Sequence, residues 1–382
     1  MYLITESCSS VAYEEFLERL YKFRDQLIAS PRFQRWSLSN PLTRPIARRR
    51  ARAALDLTAG FVYSQILFSC LELKLFDFLG EGSLSLQELS ARLDLSEAST
   101  MRLLTAAASL NLVERRGLDK WGLGQIGAAL TGNSSALALI RHQSMLYRDL
   151  VDPVALLKGK KSAILADYWP YSADEITPGL LAAEQIAPYS ALMAASQPMV
   201  ADEILHSYDI SRYGCLLDIG GGEGVFIAAA AKFAPDLSLK LFDLPAVAER
   251  ARENLRRAQL LSQVDIFGGN FLRDKLPLGA DIVTLIRIIH DHDDQSAIKL
   301  LKNIRSSVEI GAKLLIIEAM SGVRGAETLE AYYGFYTLAM GRGTPRRVDE
   351  IKLLLKQCGF GGCKLIHNAL PTLTSILEAT AI

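Results

Sequence analysis

The sequence predicts an α/β chain: a doubly wound, mostly parallel sheet in its C-terminal half, preceded by a helical unit of winged-helix shape. Three observations carry this expectation. After Arg212 short β-rich runs alternate with helical stretches, as in a parallel sheet covered on both faces. From Glu14 to Gly132 apolar residues recur at three and four, the period of helices packed on one side. At 382 residues, half of them hydrophobic, the chain exceeds a comfortable single core, so more than one domain is expected.

The boundaries are expected at 1–132 for a helical, winged-helix unit, 133–212 for a helical connector contributing to a pocket, and 213–382 for the sheet domain. Within the first, Leu84 to Gly117 reads as helix, turn, second helix and small wing. In the connector Trp169, Tyr171, Tyr189 and Met193 are candidate pocket walls, with ordinary aromatic core packing an equal alternative. The strands are expected at 215–219, 237–242, 264–267, 281–287 and 313–318.

Charge and cysteine usage exclude several classes. Lys+Arg and Asp+Glu both number 42, so a general polyanion-binding balance is absent. Five cysteines form no CxxC pair and read as reduced thiols of a cytoplasmic protein. No uninterrupted apolar run approaches the ~20 residues of a membrane span, and the N-terminus has no leader-like pattern.

The most informative stretch is DIGGGEG, Asp218 to Gly224, directly after the first strand. In a doubly wound sheet this loop lies at the carboxyl edge, where ligands bind. Glycines there let a ligand lie on bare backbone, with a helix from Val225 starting beneath it; a tight turn is the plain alternative. The spacing is not GxGxxG, because position 225 is valine, and no GK[ST] follows. Asp243 closes the second strand about 20 residues on, where an acid holds ribose hydroxyls, and GGNFL (Gly268–Leu272) ends the third. This set suits a nucleoside-bearing ligand with little need for phosphate contacts, and S-adenosylmethionine fits.

DIGGGEG, FDLP (242–245), GGNFL, RIIHDHDD (287–294) and LLIIE (314–318) together resemble the class I, Rossmann-like S-adenosylmethionine-dependent O-methyltransferases of the caffeate and acetylserotonin type, which carry an N-terminal dimerisation domain. Pro31–Gln65 further resembles the carotenoid branch, the hydroxyneurosporene or demethylspheroidene O-methyltransferases of photosynthetic bacteria. The resemblance implies a homodimer in which Asp218, Gly220, Gly222, Asp243, Leu244, Asn270, Phe271 and Arg287 surround the cofactor. It implies His290 as general base and Glu318 as the acid orienting its ring; a histidine capping the following helix is the alternative. Asp291, Asp293 and Asp294 read as helix-start acids.

Two departures stand out. Where the family has a second glutamate in a GKERT stretch, this chain has GTPRR with Pro345, which leaves Glu318 as the single acid on the base. The family's adenine-binding aspartate is Asn270, which can accept a hydrogen bond but carries no charge. Tyr332, Tyr336 and Met340 share a helical stripe that suits either an apolar acceptor tunnel or a dimer core.

The implied reaction is in-line methylation of the tertiary hydroxyl of an acyclic carotenoid, in spheroidene or spirilloxanthin biosynthesis. A small phenol, a bacteriochlorophyll-type pigment or a carbon acceptor are alternatives. No metal is expected, although HDHDD gathers five potential ligands. A winged-helix DNA-binding regulator is disfavoured because Ser96–Asn111 offers only Arg102 as a cation, so no nucleic-acid partner is expected. The run Arg44, Arg48, Arg49, Arg50, Arg52 reads either as a solvated helix face or as a peripheral contact with the inner face of a photosynthetic membrane.

Overall fold

The computed structural model describes residues 5–160, 164–168, 183–341, 343–371 and 373–382, with side chains from residue 13 onward except those of 167–168 and 183–192. Trp169, Tyr171 and the Tyr189 side chain lie outside the described residues. The chain divides into two compact units, Met1–Ala128 and Ala129–Ile382.

The first unit begins with α1 (Thr5–Ala29), α2 (Pro31–Ser39) and α3 (Arg44–Glu72). It continues through α4 (Leu75–Gly80), β1 (Leu84–Ser85), α5 (Leu86–Leu93), α6 (Glu97–Ser109), β2 (Val113–Arg116) and β3 (Lys120–Leu123) to α7 (Gln125–Leu130). The winged-helix shape has local causes. Ser85 and Glu88 form a reciprocal capping box at the start of α5, and Ser96 caps α6 by accepting from the Ser99 N–H. The wing is the β2–β3 hairpin, with β1 paired antiparallel to β3. Leu89 of α5 and Leu104 and Ala107 of α6 are buried. Helix α3 is long and apolar enough to cross a membrane by length and composition. The sequence expectation missed this, because Thr, Ser, Gln and Asp56 punctuate its apolar half.

In the second unit α8 (Ser134–Asp149), α9 (Pro153–Leu157), α10 (Ile164–Tyr168) and α11 (Ala183–Ser207) precede the alternating part. That part runs β4 (Cys215–Ile219), α12 (Val225–Phe233), β5 (Ser238–Asp243), α13 (Pro245–Arg257), β6 (Val264–Gly268), β7 (Ile282–Ile286), α14 (Asp294–Ser307) and β8 (Lys313–Glu318). It closes with α15 (Glu327–Met340), α16 (Val348–Gln357), β9 (Phe360–Ile366) and β10 (Ser375–Ala381).

Among the described residues seven strands form one sheet in the order β6-β5-β4-β7-β8-β10-β9. The pairs from β6 across to β8 are parallel, and β10 runs antiparallel to both β8 and β9. The central strands are apolar at nearly every position because both faces are covered. Leu216, Leu239, Leu241, Ile282 and Leu315 pack under Phe226 and Ile227 of α12 and Ile204 of α11. Leu217, Ile219, Val283, Leu285 and Ile316 pack under Leu300 and Ile304 of α14 and Ile351 of α16. All five expected strands are present with small shifts at their ends; the β9–β10 hairpin was not expected. Phe360-Gly-Gly-Cys-Lys-Leu-Ile carries glycines and a lysine, which mask the strand period.

Within this apolar sheet the Thr284 hydroxyl of β7 donates to the buried Asp218 carboxylate of β4 at 2.7 Å. Burial pushes the Asp218 carboxyl up to about 7 from 3.8; Thr284 opposes that rise, while the nearby Asp243 adds to it. A carboxyl that holds its proton more tightly when folded contributes stability at low pH, and that contribution is lost as pH rises through about 7. Thr284→Val should therefore lower stability by about 2 kcal/mol above neutral pH and by less in mild acid, as read from urea midpoints at the two pH values.

Candidate active site

The loop after β4 shows why glycine is required. Gly222 sits at φ +57 with open space where a side chain would start, and its N–H donates to Asp243 Oδ2 at 2.8 Å. At Gly221 an added Cβ would meet Leu241 at 2.8 Å and Asp218 Oδ2 at 2.9 Å. The first glycine supplies a left-handed turn, and the second a close approach. Asp243 Oδ1 accepts from the Leu244 N–H at 2.7 Å. Burial pushes the Asp243 carboxyl up to about 6 against the pull of these two N–H groups. Glu223 ties the loop to α13 through Arg250 and Asn254.

The other residues expected around a cofactor come to the same sheet edge with distinct engagements. Asp218 is buried below the loop, facing Thr284. Asn270 Oδ1 accepts from the Leu272 N–H at 2.9 Å, forming a side-chain turn. Phe271 meets His292 edge to face at 5.5 Å. Arg287, in the left-handed region at φ +57, sends its guanidinium to Ser196 at 2.9 Å and to Gln197 on α11.

His290 lies in a single 3-10 turn, Ile289–Asp291, just beyond β7. Its Nδ1 is 3.3 Å from Glu318 Oε2, and its backbone N–H donates to the same oxygen at 3.1 Å. Glu318 ends β8 with no exposure, and its Oε1 has no hydrogen-bond partner among the described residues. His290 Nε2 is 3.1 Å from Asp291 Oδ1. Both ring contacts have ion-pair distances, and both lie off the hydrogen-bond axis. The expectation of a single acid on the base is thus corrected: the 3-10 turn folds the next residue back onto the ring. Burial pulls the His290 pKa down, but Asp291 and Glu318 outweigh it, so the ring is held well above 6.5.

The remaining residues of HDHDD disperse. Asp293 caps α14, accepting from the Ser296 N–H at 2.8 Å. Asp294, in the first turn, pairs with Arg346 at 2.8 Å. Both are helix-start acids as expected. His292 stays with Phe271, and burial lowers its pKa.

The loop that replaces the family's second glutamate acts through other atoms. Arg346, only 4% exposed, donates to Ile289 O at 2.8 Å, His292 O at 2.7 Å and Asp294 Oδ1 at 2.9 Å. The Thr344 N–H donates to His290 O at 2.9 Å. Gly343, at φ +86, passes so close to His290 O that a Cβ would collide with it. The turn carrying His290 is therefore held by its main-chain carbonyls.

The stripe on α15 is real but mostly closed. Tyr336 and Met340 are buried with Leu146, Leu156 and Leu165, and Tyr332 and Met193 pack against that cluster. The Tyr336 hydroxyl meets His142 Nε2 at 2.6 Å, and the Tyr332 hydroxyl accepts from Gln143 at 2.7 Å. Burial lowers the His142 pKa to about 4. Tyr333, which sequence reasoning missed, has its ring 5.9 Å from that of His290 and 5.0 Å from that of Tyr332. An aromatic path thus leads from His290 along α15 to α8. The signal available was the second tyrosine of YYGFY, one step off the chosen stripe.

Residues 148–361 match the O-methyltransferase domain, and residues 55–133 match the O-methyltransferase dimerisation domain. The chain is 38% identical over 355 residues to demethylspheroidene O-methyltransferase of Cereibacter sphaeroides, 93% of each chain. It is 27% identical over 342 residues to acetylserotonin O-methyltransferase of Mus musculus, covering 83% of this chain and 85% of the relative. In fold it is similar to human N-acetylserotonin methyltransferase solved with SAM, with a TM-score of 0.69, 23% identity, and 87% and 98% of the two chains covered. It is similar also to mitomycin 7-O-methyltransferase, with a TM-score of 0.70, 22% identity, and 88% and 100% covered. With the domain match extending over more than half its length and so similar a relative along nearly all of it, the chain belongs to the O-methyltransferase family.

Proposed function

We propose that this O-methyltransferase takes its methyl group from S-adenosylmethionine and delivers it to the tertiary hydroxyl of an acyclic carotenoid of the demethylspheroidene or hydroxyneurosporene type. The acceptor rests on one observation, the 38% identity to demethylspheroidene O-methyltransferase over 93% of the chain. The same reading makes the protein a cytoplasmic homodimer joined through its dimerisation domain.

The residues at the sheet edge fit the donor. Open space at Gly222 admits a ligand onto bare backbone, and the Asp243 carboxylate keeps lone pairs free for a ribose beside its two N–H contacts. Bound there, the sulfonium supplies an electrophilic methyl carbon. This chain's own work is to align the acceptor and take its proton. As the hydroxyl oxygen forms its bond to the methyl carbon and the carbon–sulfur bond breaks, the hydroxyl proton passes to His290 Nε2. Glu318 faces the other nitrogen and stabilises the imidazolium that results. Asp291 covers Nε2 in this structure, so an entering hydroxyl takes its place.

A tertiary alcohol is a weak acid, which gives the raised pKa of His290 a purpose. A more basic ring accepts the proton more readily during attack, at the cost of a smaller neutral fraction near neutral pH. The path from His290 through Tyr333 and Tyr332 offers aromatic surface of the kind a polyene packs on.

Replacing His290 by alanine should reduce kcat on the carotenoid about a hundredfold or more in single-turnover assays; near-normal turnover would remove the base. For the native enzyme kcat/KM should rise with pH through a value above 6.5, because the protonated ring is inactive. Asp291→Asn and Glu318→Gln should each move that rise to lower pH, since each removes a charge favouring the imidazolium.

Asp243→Asn should weaken S-adenosylmethionine binding about tenfold by calorimetry while leaving the KM for the acceptor nearly unchanged. The acceptor itself is tested by offering labelled S-adenosylmethionine with a hydroxylated acyclic carotenoid in detergent, a simple phenol and a bacteriochlorophyll-type pigment. Label in a carotenoid methyl ether is the expected result; label only in another acceptor overturns the proposed substrate.

A further inference from the structure

We propose that the corner joining α2 to α3 is a docking surface for a membrane bearing anionic lipid. The whole chain is neutral, yet between Gln26 and Leu55 it carries seven arginines, from Arg32 to Arg52, and neither aspartate nor glutamate. Among the described residues Arg32, Arg35, Arg48, Arg49 and Arg50 face no carboxylate, and the Arg52 contact with Asp56 is long, at 3.9 Å. Such an uncompensated cluster is drawn to an anionic surface, each cation adding to the attraction.

In sequence the arginines flank exposed apolar residues on both sides of the corner. Trp36 is 50% exposed, Leu42 86% and Ile46 57%, with the ring of Phe33 5.6 Å from that of Trp36. The turn beneath them is already satisfied. Asn40 Oδ1 accepts from the Leu42 N–H at 2.9 Å, the Arg44 N–H donates to Asn40 O at 2.9 Å, and the Thr43 hydroxyl donates to Ser37 O at 2.8 Å. These polar groups therefore lose little when the corner leaves water. Exposed aromatic and aliphatic residues flanked by cations are the composition of an interfacial anchor.

Two other occupants fit less well. A second copy meeting this corner symmetrically would set the same arginines against one another. The dimerisation match also begins at residue 55, past the last of them. A nucleic acid would satisfy the cations but leave Leu42 and Ile46 without apolar contact. The chemistry of this surface does not depend on the acceptor being a carotenoid.

The test is flotation of the purified full-length protein with vesicles of phosphatidylcholine alone, and with vesicles of two parts phosphatidylcholine to one part phosphatidylglycerol. Binding should require the anionic lipid, weaken with added salt, and fall about tenfold or more in an Arg32→Gln, Arg35→Gln, Arg48→Gln, Arg49→Gln variant. Leu42→Ser, at an exposed position and so compatible with folding, should also weaken it. Light scattering should show an unchanged oligomeric state in both variants. Absence of binding to anionic vesicles, equal binding to both kinds, or binding untouched by Leu42→Ser each overturns the proposal. If the arginine variant changes the oligomeric state, the corner belongs to a second copy and the proposal fails.

Discussion

The structure depends on one constraint, the parallel pairing of β4 with β5 and β7, and of β7 with β8. Parallel neighbours end on the same side of a sheet, so loops far apart in the chain open onto one edge. Gly222 follows β4, Asp243 ends β5, Asn270 follows β6, His290 follows β7 and Glu318 ends β8. No single segment holds this chemistry. A slip of one residue between β7 and β8, which pair Ile286 with Ile317, would turn alternate side chains to the opposite face and separate His290 from Glu318.

Charge is the second organising theme. Asp218, Glu318 and His290 are nearly without solvent, and each is retained through a specific answer to desolvation. Asp218 has a hydroxyl and a carboxyl pKa moved up toward neutrality. Asp243 has two backbone N–H groups. His290 has two carboxylates, which turn an unfavourable burial into a net preference for the charged ring. The same desolvation thus raises a carboxyl in one place and is overcome at an imidazole in another, and the partners decide which.

The parts of the fold and site that could be read in the sequence are those written in contiguous residues. The glycine loop and the strands on either side are local patterns of spacing and bulk, and the helix-start role of Asp293 follows from its place before α14. The remainder depends on the chain returning to itself. Asp291 reaches the ring only because residues 289–291 make a 3-10 turn, which spacing alone does not specify. In GTPRR the missing acid at Pro345 drew notice, whereas the contribution of Arg346 comes from carbonyl groups more than fifty positions earlier. The β9–β10 hairpin was hidden for a related reason, since its strand is defined by pairing with β8 more than by its own composition.

The Arg346 guanidinium and the Thr344 N–H fasten the turn that carries His290 by its main-chain carbonyls, which every amino acid possesses. The wall of α15, by contrast, meets the ring through side chains such as Tyr333. Support and selection are therefore separable: substitutions along α15 can remodel the shape offered to an acceptor while the imidazole keeps its place. In such a modular arrangement, chemistry can be inherited unchanged as substrate preference drifts, and a single scaffold can diversify into enzymes whose acceptors share little beyond a nucleophilic atom.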